Sequence, residues 1–205
     1  MIYRAAKGAT EAKVFIDVSA TEGNVSFLGV LADGATNTLW ACQIIGTGKN
    51  RHSILRSFDL TSGAPKLRWP LPGEINLCND FVVGPDKALY IADTFGSKIF
   101  RLKPGASEPE LLIEDRTLDG VDGITFLGNE LYVNNVISNN LYRIPLDAAG
   151  KAARRCRSGP ISRSRDRTAC APPTASCISP RTVTDVPAWS PSMAIRPPSS
   201  RSSKA

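Results

Sequence analysis

Over the first 150 positions the apolar residues come in short runs cut by Gly, Pro, Asn and Asp. Phe81-Val82-Val83 stops at Gly84-Pro85-Asp86, Leu89-Tyr90-Ile91-Ala92-Asp93 follows, and Ile99-Phe100-Arg101-Leu102 closes the set. No stretch sustains a helical period, so the pattern predicts strands joined by hairpin turns. The set then repeats. Forty-two residues on, Asp122 falls at the place of Asp80, Leu131-Tyr132-Val133 at Leu89-Tyr90-Ile91, and Leu141-Tyr142-Arg143-Ile144 at Ile99-Phe100-Arg101-Leu102. A looser copy runs from Leu28 through Leu39-Trp40-Ala41-Cys42 to Ile54–Leu60.

Four short strands in about 40–45 residues make one blade of a β-propeller. A β-sandwich with similar strands is the alternative, and ungapped agreement of strand, turn and strand argues against it. The repeat also reaches the first residue. Ile2-Tyr3-Arg4 and Val14-Phe15-Ile16 precede Ile99-Phe100-Arg101 and Leu111-Leu112-Ile113 by 97 positions without a gap. The reading is therefore all-β: about three and a half propeller blades over residues 1–150, opening at the third strand of a blade. The N-terminal strands either close the ring's last blade or continue an upstream reading frame.

Composition changes this picture after residue 150. Residues 151–205 hold eleven Lys and Arg against two Asp, whereas residues 1–150 hold fourteen basic and seventeen acidic residues. The net charge of +6 thus comes wholly from the tail. The tail has no Leu, Phe, Tyr or Glu and is dominated by Ser, Arg, Pro and Ala. Such a segment buries too little apolar surface to offset ordering entropy, so it is expected to be disordered. Its abrupt start favours an out-of-frame stretch over a basic arm for anionic partners. Neither a nucleic-acid nor a membrane partner is expected. No apolar h-region or span of about 20 apolar residues is present, and the compartment is left open.

Cys42 and Cys78 sit among apolar neighbours and read as free, buried thiols acting as small hydrophobes. Cys156, Cys170 and Cys177 lie in the tail, and without a CxxC pair or a second histidine a zinc module is not expected.

The run Leu77-Cys78-Asn79-Asp80-Phe81-Val82-Val83-Gly84-Pro85-Asp86-Lys87-Ala88-Leu89-Tyr90-Ile91-Ala92-Asp93-Thr94, with Val121-Asp122-Gly123-Ile124 in the next copy, resembles the senescence-marker-protein-30/gluconolactonase propellers. The similarity covers roughly residues 20 to 147. The resemblance implies a six-bladed ring holding a divalent cation, usually calcium, and hydrolysing a lactone or sugar-acid-type small molecule. It implies Asn79 and Asp122 as metal ligands, with Asp122 and the adjoining Asp80 as catalytic carboxylates. Two departures stand out: Glu22-Gly23-Asn24 lies too far upstream to supply the family's ligand Glu, and the later Pro-Asp-Gly is missing. The chain is accordingly expected to be an incomplete, inactive piece of such a hydrolase, or else a non-catalytic propeller scaffold, with open blade edges inviting self-association.

The bland roles are also open. Asp80 and Asp122 could cap turns, as Asp93 and Asn135 are expected to do. His52 reads as a solvated loop residue. Arg56, Arg101 and Arg143 recur with the repeat and read as serving blade-surface packing and solvation, not binding.

Overall fold

The computed structural model describes residues 1–22, 25–47, 50–147, 149–152 and 179–181. It is all-β, with fourteen strands in four antiparallel sheets among the described residues. Strands β1 (Ile2–Arg4) and β2 (Lys13–Ile16) form a two-stranded sheet. A first four-stranded blade holds β3 (Val25–Asp33), β4 (Thr38–Ile45), β5 (His52–Asp59) and β6 (Pro65–Pro70). The second holds β7 (Cys78–Val83), β8 (Leu89–Asp93), β9 (Lys98–Leu102) and β10 (Glu110–Glu114). The third holds β11 (Val121–Leu127), β12 (Glu130–Asn135), β13 (Asn140–Ile144) and β14 (Ser179–Arg181).

Register makes the repeat quantitative. The β1/β2 pairs Arg4↔Lys13, Tyr3↔Val14 and Ile2↔Ile16 match the β9/β10 pairs Arg101↔Glu110, Phe100↔Leu111 and Ile99↔Ile113 at the 97-residue offset, irregularity included. The β8/β9 and β12/β13 ladders agree at every pair with an offset of 42. The inner strands do not. Cys78↔Asp93 and Phe81↔Ile91 correspond to Val121↔Asn135 and Ile124↔Val133, an offset of 43 on β7 and β11. One residue fewer lies between the matched pairs Phe126↔Leu131 than between Val83↔Leu89, so the offset changes across that hairpin. Asp122 is therefore the counterpart of Asn79, and the pairing of Asp122 with Asp80 is corrected.

Blades pack face on face, which explains why strict alternation is lost in the middle strands. All five residues of β8 are buried, since both its faces are covered. Leu89 and Ile91 join Cys42, Leu55, Phe81 and Phe100 in the seam with the first blade. Tyr90 and Ala92 face Val121, Ile124, Leu131 and Val133 of the third. A smaller cluster of Ile2, Ile16, Val18, Leu39, Ala41 and Phe58 seals β1/β2 to the first blade. Each fully buried large apolar side chain contributes roughly 1.5–3 kcal/mol, so these seams, not the hairpins alone, hold the sheets together.

A disulfide joins Cys42 on β4 to Cys78 at the start of β7, with Cα atoms 5.3 Å apart. This corrects the expectation of two free thiols. Nothing in the spacing of the two residues signals it; the face-to-face packing of the first two blades brings them together.

The predicted disordered tail lies mostly outside the described residues. Its first two residues fold back, with Ala152 bridging Leu146 and the Asp147 carboxylate accepting from the backbone of Ala149 and Lys151. Ser179–Arg181 pairs with β13 as the outer strand of the third blade, so this part of the tail belongs to the fold.

Candidate functional site

Each inner strand is interrupted at the same place. Between Phe27 and Val30 on β3, Cys78 and Phe81 on β7, and Val121 and Ile124 on β11, two residues stand opposite one on the neighbouring strand. Such a bulge re-aims side chains and is common beside functional sites. The residues it releases are Leu28-Gly29, Asn79-Asp80 and Asp122-Gly123.

β3 and β7 approach closely here. A Cβ on Gly29 would collide with the Asn79 carbonyl oxygen and come within 3.2 Å of the Asp80 Cα. Glycine is needed at 29 so that one backbone can lie against the other. Across the other seam, the Asn79 amide donates to Asp122 Oδ1 and also, at 3.1 Å, to Thr94 Oγ1. Asp80 Oδ2 accepts from the Ile124 backbone N–H at 3.2 Å. All three sequence-predicted site residues are half-buried and lie at one seam. Asp80 holds β11 onto β7, whereas Asn79 and Asp122 meet side chain to side chain.

An amide oxygen and carboxylates are the donors a hard cation takes, and calcium takes six to eight of them. Asn79, Asp122 and Asp80 supply part of such a set. Among the described residues no group of three or more His, Cys, Asp and Glu side chains is placed to hold a metal ion. The donor chemistry fits; the number falls short.

Asp93 and Asn135, at equivalent strand ends, both close turns. Asn135 Oδ1 accepts from Ile137 and Ser138 N–H, while its amide donates to the Thr117 and Asp119 carbonyls. Asp93 Oδ1 accepts from Leu77 and Gly96 N–H, but its Oδ2 is buried without a partner. Burial raises the Asp93 carboxyl above its ordinary value against the pull of those N–H bonds.

The arginines are not surface residues of one kind. Register matches Arg101 with Arg143 but places Ser57, not Arg56, at their position, so Arg56 lies on the opposite face of its strand. Arg56 is buried and pairs with Glu22 at 2.6 Å, while its guanidinium also donates to Gln43 Oε1 at 3.0 Å. Arg68 reaches the same carboxylate at 3.3 Å. Burial pushes Glu22 upward, but Arg56 and Arg68 outweigh it and hold the carboxyl below its ordinary range. Sequence reasoning noticed Glu22 only as a poor metal-ligand match; its role here is to neutralise a buried arginine.

Arg101 pairs with Asp86 and donates to the carbonyls of Ala149 and Gly150, pinning that turn to the second blade. It walls a cavity of about 460 Å³ together with Asp86, Tyr90 and Phe126. Tyr90 donates to Asp86 at 3.0 Å, and burial with that neighbour pushes its phenol up to about 12. Arg101, Asp86 and Tyr90 bond one another here, while the buried Arg101 Nε has no partner. His52 is the first residue of β5, exposed and paired with Ile45, so it stands in a strand and not in a loop.

Four-stranded antiparallel blades packed in sequence, with their first strands side by side, define a β-propeller type of fold. The solved structures agree. Virginiamycin B lyase from Staphylococcus aureus superposes with a TM-score of 0.51 at 14% identity, over 67% of this chain and 42% of that one. A catalytically inactive variant of that lyase, crystallised with quinupristin, gives 0.50 at 15% identity, over 68% and 44%. This chain thus spans about two fifths of the length of the lyases it matches. At such identity the likeness shows the fold alone. No protein-family model matches the chain, and no curated protein matches it. Among the described residues no helix is long and apolar enough to cross a membrane.

Proposed function

We propose that this chain carries part of the active site of a divalent-cation-dependent lactone hydrolase of the senescence-marker-protein-30/gluconolactonase kind. The observation that carries the reading is the direct contact of Asn79 with Asp122, equivalent bulge residues on neighbouring inner strands. Asn79 and Asp122 would hold the cation, calcium first, through an amide oxygen and a carboxylate. When bound, such an ion polarises a lactone carbonyl and eases deprotonation of water. Thr94 orients the Asn79 amide, and Asp80 fixes the distance between the two strands through the Ile124 N–H. Asp80 is thus a positioning residue in this reading, and Asp122 is the carboxylate left to face substrate.

The short donor set favours a second reading, a propeller scaffold that binds without catalysis. Calorimetric titration of the full chain with calcium chloride, beside pH-stat assay of glucono-δ-lactone and of an alkyl-substituted δ-lactone, decides between them. Calcium binding that stabilises the fold by a few kcal/mol at saturation and vanishes in Asn79→Ala supports the hydrolase. No binding, with no lactone opening, leaves the scaffold.

A further inference from the structure

The third bulge residue is not polar. Leu28 occupies on β3 the position that Asn79 and Asp122 occupy on β7 and β11, and its side chain is 42% exposed. Gly29, next to it, lies against the Asn79 carbonyl, so Leu28 stands at the margin of the Asn79/Asp122 pair. Apolar side chains mark the other margins too. Phe95, 41% exposed, follows the Thr94 that bonds Asn79, and the Arg51 guanidinium lies 5.1 Å from its ring centroid. Ile137, 65% exposed, lies over Gly120, two residues before Asp122.

A ligand that meets the polar pair therefore meets aliphatic and aromatic carbon beside it. Against the Leu28 side chain a ring hydroxyl would meet carbon, and a hydroxyl buried unpaired is disfavoured. An alkyl chain would gain instead, roughly fourfold in affinity for each methylene taken out of water.

We infer that the ligand of the Asn79/Asp122 pair carries an alkyl flank that seats against Leu28, which makes an alkyl-substituted lactone, and not a sugar lactone, the substrate class. This rests on the reading of Asn79 and Asp122 as the binding pair. Leu28 is the specificity-determining residue, and Phe95 and Ile137 border the same seat.

The test uses six-membered lactams as unreactive stand-ins, titrated calorimetrically into the full chain with and without calcium chloride. The probes are the plain lactam, its pentyl derivative and gluconolactam. The pentyl lactam should bind about tenfold or more tighter than the plain one, and Leu28→Asn should reduce that advantage to about twofold or less. Leu28→Met should retain it, and Leu28→Ala replaces the Asn variant if the latter does not fold. Equal affinities, tighter binding of gluconolactam, or an advantage untouched by Leu28 substitution overturns the inference. Calcium binding without chain preference removes only the alkyl flank. A Leu28-dependent chain preference without any effect of calcium or Asn79→Ala removes the hydrolase reading and leaves the apolar seat standing.

Discussion

Breaking the Cys42–Cys78 disulfide gives a direct measure of how far the first two blades depend on each other. The bridge closes a loop of sequence separation 36, and both cysteines are fully buried. In the chain-entropy treatment a loop of that length is worth about 4 kcal/mol, through the freedom it denies the unfolded chain. For a domain of this size that corresponds to a fall in melting temperature on the order of 10 °C. The bond itself is checked first by non-reducing tryptic mapping, which should yield peptides 14–49 and 69–87 joined. Melting curves are then compared for the oxidised chain, for chain reduced in urea and refolded with reductant, and for the paired Cys42→Ala and Cys78→Ala variant. The reduced chain isolates the crosslink, because it keeps both sulfur atoms; the alanine pair adds the loss of packing volume. A linked peptide pair combined with a melting point unchanged within about 2 °C on reduction would refute the argument. It would mean that packing between the blades, and not the crosslink, keeps the loop closed in the unfolded ensemble as well.

Three further outcomes follow from the described contacts. Gly29→Ala should destabilise the fold by about 3 kcal/mol or more in urea unfolding, since the added methyl meets backbone at Asn79 and neither strand can yield. Asp93→Asn, which copies the natural Asn135, should stabilise by about 1 kcal/mol at neutral pH by removing a carboxylate charge that burial penalises. The native Asp93, raised above its ordinary 3.8, binds its proton more tightly folded than unfolded. Its contribution to stability should therefore fall as pH rises from about 4 upward, and this slope should be missing in the variant's urea midpoints. Glu22→Gln should cost about 3 kcal/mol because Arg56 stays buried without its counter-charge. The wild-type pair has the opposite pH dependence, its stabilisation present above pH 4.5 and lost as acid protonates the lowered carboxyl, which acid titration of the two proteins resolves.

Strand positions were legible because hairpin turns leave Gly, Pro and Asp at fixed intervals, and the 97- and 42-residue offsets carried through to single ladder pairs. What the letters hid was a matter of one residue. The shorter β11/β12 hairpin shifts the inner strand, so the eye aligns Asp122 with Asp80 when backbone pairing aligns it with Asn79. The same kind of slip put Arg56 in register with Arg101, although strands reverse faces at every step. The disulfide was invisible for a different reason: Cys42 and Cys78 meet across a seam between blades, which no local pattern encodes. Asn79 and Asp122 were found through resemblance, while Leu28, their counterpart, gave no signal because an apolar residue in a strand looks like core.

Because the bulged residues take no part in the strand ladders, what stands at positions 28, 79 and 122 is separated from what pairs the strands within each blade. Leucine, asparagine and aspartate already occupy that one location in three successive blades of a single chain. Duplicated blades can thus diverge in side-chain chemistry at the bulge while their strand pairing is inherited intact. For anyone redesigning the protein, those three codons form a compact library whose members should share the strand pairing and differ in the side chains set at the bulge.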